Sequence, residues 1–308
     1  MAVAVAGCTP VAEPAEDGTV AETTFPEKDI RLIIQANPGG GSDLSSRALA
    51  TELEKILGVS VIPENMPGAA GALAMEYVAQ QPADGYVIGF APVEIAMLNT
   101  TQNANVLPEN YDMIGQIMLA PGVISVGIDS PYETLEDLIE ASKDGAVTVA
   151  NSGTGSIWEA ATLGIADETG AQFTPVSYDG GATAVSAAAS GEAVAAVSGA
   201  GEAVAQAGAV RVLAVLNDEP YFNLPEVPTA EEAIGTELLY GGWGGIYAPA
   251  GLPDDVRDVL ESAVADSVKT DSYVEFQEKS GNLVVYRNAE EFTDFVNEQF
   301  ELYKTLLG

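Results

Sequence analysis

A glycine-rich turn occurs twice in this chain, each time between a short apolar extended run and a helical pattern. The first copy, Asn37-Pro-Gly-Gly-Gly-Ser-Asp43, follows Asp29 to Ala36 and precedes Leu44 to Leu57, whose apolar residues are spaced for a helix. The second copy, Asn151-Ser-Gly-Thr-Gly-Ser156, follows Val147 to Ala150 and precedes the Ala/Leu-rich run Ile157 to Thr169. Glycine lets the backbone turn sharply and approach a ligand closely. A helix start behind it offers unpaired N–H groups and a partial positive charge, which suits an anion. Two such turns imply two lobes that grip one small anionic molecule from both sides.

The elements that must hold these turns alternate along the chain. Strands are predicted at 30–35, 60–63, 87–90, 113–119, 123–128, 147–150, 172–176, 193–198, 210–216 and 244–248. Helices are predicted at 44–57, 70–80, 135–142, 157–169, 181–189, 230–234, 253–268, 271–280 and 289–307. Thr134 and Asp137 have the spacing of a capping box. The alternation predicts an α/β fold with mostly parallel sheets. Crossings between lobes are expected at 123–128 and 241–248, both short extended stretches near glycines. Lobe 1 then takes 26–124 plus 245–308 and lobe 2 takes 125–244, joined by a two-stranded hinge suited to opening and closing.

Composition narrows the chemistry. The 308 residues suffice for two lobes, and 47% are hydrophobic. There are no histidines, which removes Ser-His-Asp hydrolases, Cys-His proteases and histidine-ligated metal sites. The single cysteine excludes disulfides within the chain and cysteine-cluster metal sites. A net charge of −35, from 46 acidic and 11 basic residues, argues against a nucleic-acid partner. The acid excess reads as a solvated surface and would also suit a high-salt habitat. No stretch is long and apolar enough to span a bilayer as a helix.

The N-terminal segment carries one further signal. Val5-Ala-Gly-Cys8 is similar to the lipobox of bacterial lipoproteins, and residues 9–25 have the composition of a flexible acidic tether. Cys8 is therefore the expected lipidation site, with the body anchored just outside a membrane. Only seven residues precede it, with no basic segment, so the start is expected to be truncated or misassigned.

Seven motifs in order then resemble one family, the extracytoplasmic substrate-binding proteins of tripartite tricarboxylate transporters. They are the first glycine turn, Glu64-Asn-Met-Pro-Gly-Ala-Ala-Gly71, Ala83-Asp-Gly-Tyr86, Ser152-Gly-Thr-Gly-Ser156, Ser177-Tyr-Asp-Gly-Gly-Ala182, Glu226-Val-Pro-Thr229 and Trp243 to Gly251. The resemblance runs from about Pro26 to Leu307. It implies a type II periplasmic-binding-protein fold, no catalysis, a small carboxylate ligand and delivery to a membrane permease. It also implies that no cofactor is needed, and a monomer is expected. Two departures bear on the ligand: the family often has histidine where Glu159 stands, and aspartate where Val194 stands.

The expected ligand-binding residues are Gly39, Gly40, Gly41, Ser42 and Asp43 from the first turn, and Thr154, Gly155, Ser156 and Glu159 from the second. Tyr178 and Gly180 could add a phenol and a close backbone approach. Ser198, by the resemblance, sits where a strand opens into the cleft. Ser42 or Asp43 could instead cap the following helix, and Tyr178 could be a core tyrosine. Arg47 is expected to face outward or pair with an acid, so amides rather than an arginine would meet the ligand's charge. Asp43, Glu94, Glu159 and Asp179 are expected near the cleft, which leaves room for an amine on the ligand. A nucleotide-dependent enzyme is disfavoured, since the turn lacks the G-x-G-x-x-G spacing and no G-x-x-x-x-G-K-[ST] occurs. A lipoprotein that senses the same ligand would differ only in its partner.

Overall fold

In the computed structural model, the structure describes Met1 and residues 24–308, so Cys8 and residues 9–23 of the expected tether lie outside the described residues. The first half of the chain supplies β1 (Ile30–Ile34), α1 (Gly41–Leu57), β2 (Val61–Asn65), α2 (Ala72–Ala79), β3 (Val87–Pro92), α3 (Leu98–Gln102), β4 (Tyr111–Gly127), α4 (Leu135–Asp144), β5 (Val147–Asn151) and α5 (Ile157–Thr169). The second half supplies β6 (Phe173–Ser177), α6 (Gly181–Ser190), β7 (Ala195–Gly199), α7 (Ala200–Val204), β8 (Val210–Leu216), α8 (Ala230–Ile234), β9 (Gly241–Pro249), α9 (Asp254–Ser267), α10 (Asp271–Lys279) and α11 (Ala289–Leu307).

The strands join in the order β2-β1-β3-β9-β4-β7-β5-β6, with β8 also on β4. The β1–β2, β1–β3, β5–β6 and β5–β7 pairs are parallel, whereas β3–β9 and every pair made by β4 are antiparallel. Thus each glycine turn follows the first strand of a parallel βαβ unit, β1-α1-β2 in one half and β5-α5-β6 in the other. Parallel strands need such helical crossovers.

The two α/β lobes meet on β4. Tyr111 to Pro121 pair with β9, and from Gly122 onward the same strand pairs with β7 and β8. Two strands were expected here, at 113–119 and 123–128, because Pro121-Gly122 reads as a break. The pairing explains why it is not one. The Gly122 N–H donates to the Tyr240 carbonyl at 2.9 Å, and a Cβ at Gly122 would lie 2.5 Å from that oxygen. Glycine is therefore the residue that lets the strand run straight through the crossing. The second crossing enters β9 through Tyr240, whose N–H donates to Leu216.

Alternation places the core. Ile30, Leu32 and Ile34 face α1 and α9, in a cluster with Leu49, Leu53 and Leu260, while Ile33 faces the opposite cluster with Met75, Val78 and Ala91. That second cluster continues through Trp158, Tyr240 and Trp243 to Ile165 and Phe173, so it runs through both lobes. Helix α11 packs on β4 and reaches α5, with Phe292 edge-on to Trp243 at 5.7 Å.

Caps fix the helix starts. Thr134 and Asp137 make the expected reciprocal pair at α4. Thr229 with Glu232 and Asn288 with Glu291 do the same at α8 and α11. Among the described residues no helix is long and apolar enough to cross a membrane.

Candidate functional site

The second glycine turn leaves the C-terminal end of β5 and closes on itself before α5 begins. Asn151 Oδ1 accepts from the Gly153 N–H at 2.9 Å, and the Gly153 carbonyl accepts from Ser156 at 3.2 Å. Ser156 then caps α5: its Oγ accepts the Glu159 N–H at 3.2 Å, leaving its own proton free to donate. The Glu159 carboxylate turns back, and Oε2 takes the Gly155 N–H at 2.6 Å. The Thr154 hydroxyl lies 2.9 Å from that of Ser177 on the neighbouring strand.

A cavity of about 340 Å³ opens in front of this turn. One wall is Ser152 to Ser156 with Glu159, and the other comes from Ala70, Glu94, Met97, Leu98, Thr100, Thr101 and Gln102, with Leu307 at the edge. Both walls grow from the carboxyl ends of parallel strands, β5 on one side and β3 on the other, which is where open α/β sheets bind ligands. The volume is at the small end of the range of about 300–1,000 Å³ usual for ligand pockets. Contact across the cleft is tight at one point. A Cβ on Gly155 would lie 3.2 Å from Thr101 Cγ2, and the residue already has a φ of +75°. Glycine is required there by both counts.

The wall carries two carboxylates and, among the described residues, no lysine or arginine. Glu94 stands on the short helical turn Val93–Ala96 directly after β3. Burial pushes its carboxyl above the usual range, and only its own backbone N–H opposes that shift. The second oxygen of Glu159, Oε1, has no hydrogen-bond partner among the described residues.

Of the residues expected from sequence, Thr154, Gly155, Ser156 and Glu159 line this cavity, whereas Gly39, Gly40, Gly41, Ser42, Asp43, Tyr178, Gly180 and Ser198 are not in its wall. The first turn uses the same device as the second. Asp43, 2% exposed, takes the Gly39 N–H at 2.8 Å, and also accepts from Asn65 at 2.8 Å and Arg47 at 2.9 Å. Burial works to raise the Asp43 carboxyl, but the Gly39 amide, Asn65 and Arg47 together hold it below the usual carboxylate range. The side chain is a brace within the turn, and Arg47 pairs with an acid as expected. Gly40 starts α1 without a side-chain cap; the Gly39 and Gly40 amides are taken by Asp43 and the Asn37 carbonyl, which leaves those of Gly41 to Asp43 for an anion. Gln35 links this turn to the segment after β2. It donates to Ser42 Oγ at 3.0 Å and packs against Gly71, next to the Ala70 of the cleft wall.

The remaining expected groups are engaged elsewhere. The Tyr178 ring packs on the alanine cluster of α6 and β7, and desolvation together with the nearby Glu192 carboxylate pushes its phenol up. Gly180, with a φ of +108°, starts α6. Ser198 is fully buried on β7, with its hydroxyl on the Gly199 carbonyl at 3.2 Å. The wall from Glu94 to Gln102 was largely missed from sequence, with Glu94 alone singled out. Its signal was positional: it follows the carboxyl end of a strand parallel to β1.

A larger groove, of about 550 Å³, lies between Leu216 to Glu219, Leu239 to Gly241, Leu283 to Val285 with Arg287, and Glu298 and Gln299. Its one cation, Arg287, is already bonded to Gln116 and stacked 4.3 Å over Phe295. Neither glycine turn opens into it.

The fold and the cleft define a solute-binding receptor of the periplasmic type. The chain belongs to the tripartite tricarboxylate transporter receptor family, TctC, whose model matches residues 45–307. A UPF0065 protein of Bordetella pertussis is 31% identical over 273 residues, which cover 84% of this chain and 82% of that one. A TctC solute-binding protein from Polaromonas, solved without ligand, superposes with a TM-score of 0.86 at 28% identity, covering 92% of this chain and 99% of that one. MatC from Rhodopseudomonas palustris, with bound malate, shares the fold at a TM-score of 0.72 and 22% identity, covering 92% of this chain and all (100%) of its own.

Proposed function

We propose that this receptor captures a small carboxylate in the cleft between its lobes and delivers it to a tripartite tricarboxylate-type permease. The observation that carries the reading is the cavity of about 340 Å³ walled from both sides of the β4 crossing, with the glycine turn and the start of α5 on one face. With the Gly155, Ser156 and Glu159 amides already bonded within the turn, the α5 N-terminus supplies the Ile157 and Trp158 amides and the Ser156 hydroxyl, which suit a carboxylate without help from a basic side chain. The malate held by MatC, a protein of the same fold, is a solute of this class. The lobes are taken as 26–124 plus 245–308 and 125–244, closing over the solute by a small motion of the two crossing strands. The receptor acts as a monomer outside the cell membrane. It is tethered by a lipid on Cys8. Mass spectrometry of the mature N-terminus checks the anchor, and an unmodified Cys8 refutes it.

A thermal-shift screen tests the binding reading. Di- and tricarboxylates, amino acids and aromatic acids are each added in large excess to the purified chain. A true solute at about 100 times its Kd adds about 2.7 kcal/mol of stability, a shift of several degrees. Failure of every class of small acid to move the transition would overturn the proposal.

A further inference from the structure

The two carboxylates of the cleft bear on which solutes fit. Glu94 rises from the end of β3 on one lobe and Glu159 from the first turn of α5 on the other, and both line the same cavity. No cation among the described residues shares that wall. Two enclosed acids elsewhere in the described chain, Asp43 and Glu52, are paired with Arg47 and Lys55, whereas Glu202, outside this wall, keeps a buried oxygen without a hydrogen-bond partner. In the cleft the pairing is left to the solute. Glu159 keeps Oε1 unpartnered after Oε2 has taken the Gly155 amide.

We infer that the solute carries a cationic nitrogen beside its carboxylate, and that Glu94 and Glu159 recognise that nitrogen from opposite walls. The inference rests on the reading of this cleft as the solute site and deepens it. An ammonium offers three donors, enough for the free oxygens of both glutamates and one hydroxyl of the wall. Thr101 and Thr154 supply such hydroxyls from the two sides. Charge-assisted bonds of this kind are about twice as strong as neutral ones. A plain dicarboxylate would instead bring its second negative charge toward two carboxylates in a partly dried cavity, where like charges repel more strongly than in water. Attraction to an ammonium and repulsion of an extra carboxylate select in the same direction. The apolar flank of Met97, Leu98 and Leu307 accommodates a short carbon skeleton between the two polar ends. An acid with an amine on that skeleton, an amino acid or a close relative, has this layout.

The test compares acids that differ by one amine. Calorimetry on the full chain measures succinate against aspartate, glutarate against glutamate, adipate against 2-aminoadipate, and propionate against alanine. The tightest binder is expected to be an amino acid, at least tenfold tighter than its amine-free partner. In Glu94→Gln and in Glu159→Gln that ratio should fall at least fivefold. Glutamine keeps the acceptor that holds the Gly155 amide, so an unchanged melting transition shows that the turn survives. An amine-free acid as the tightest binder, or a ratio unchanged in both variants, overturns the inference and leaves the carboxylate-receptor reading standing. Absence of binding by every acid in the set overturns both.

Discussion

Replacing Gly155 by valine is expected to weaken solute binding by more than tenfold while leaving most of the stability in place. Two effects act together. The backbone at Gly155 has a φ of +75°, a conformation that costs an L-residue about 1–2 kcal/mol. A Cβ there would also stand 3.2 Å from the Thr101 methyl on the facing wall, and the valine methyls would go further into the cleft. The fold can accommodate this by moving the walls apart, since Gly155 is part of a surface turn rather than the core. Binding cannot, because closure around the solute needs the walls near one another. Calorimetry with the tightest binder of the acid screen, beside a urea unfolding curve, separates the two. Unchanged affinity would show that the turn does not face the solute.

The largest stability effect is expected at Phe292, replaced by alanine. This ring is fully buried and edge-on to Trp243, and it fills the space above Gly245, where a Cβ would lie 2.4 Å from its Cε1. Truncating a buried phenylalanine costs about 3–5 kcal/mol, part of it for the cavity left behind. The position matters more than the volume alone. Helix α11 packs on β4 before the crossing and reaches α5 beyond it, so its anchor holds both lobes in register. Urea unfolding should show a midpoint shift of that size. A loss under about 1 kcal/mol would mean that the helix is not an integral part of the folded unit.

Much of the architecture was legible because local chemistry and global fold agree. Helices α5, α8 and α11 begin where Ser156, Thr229 and Asn288 can cap them, and the sequence pattern places their bounds to the residue. The β4 strand was not legible, because Pro121-Gly122 has the local signature of a turn. What overrides it is a long-range contact, the Tyr240 carbonyl lying against Gly122, which no local pattern reports.

The site divides the same way. The second turn was readable from glycine followed by a helix. Its facing wall is built from a four-residue helical turn and the five-residue α3, too short to show a period. The first turn shows a subtler limit. Its glycines do precede a helix start, but Asp43 stands four residues after Gly39 and takes that amide itself, just as Glu159 stands four residues after Gly155. Spacing could have suggested both braces. Only the three-dimensional arrangement shows that one of the two acids is enclosed by Arg47 and Asn65 while the other keeps an oxygen open to the cleft.

The most direct test is a crystal structure of the chain with the tightest-binding acid from the screen. The solute is expected between Thr101 and Thr154, touching Glu94 or its neighbours on one wall and Ser156 or Glu159 on the other. A solute found instead in the groove beside Arg287, with the cleft between β3 and β5 empty, would contradict the account.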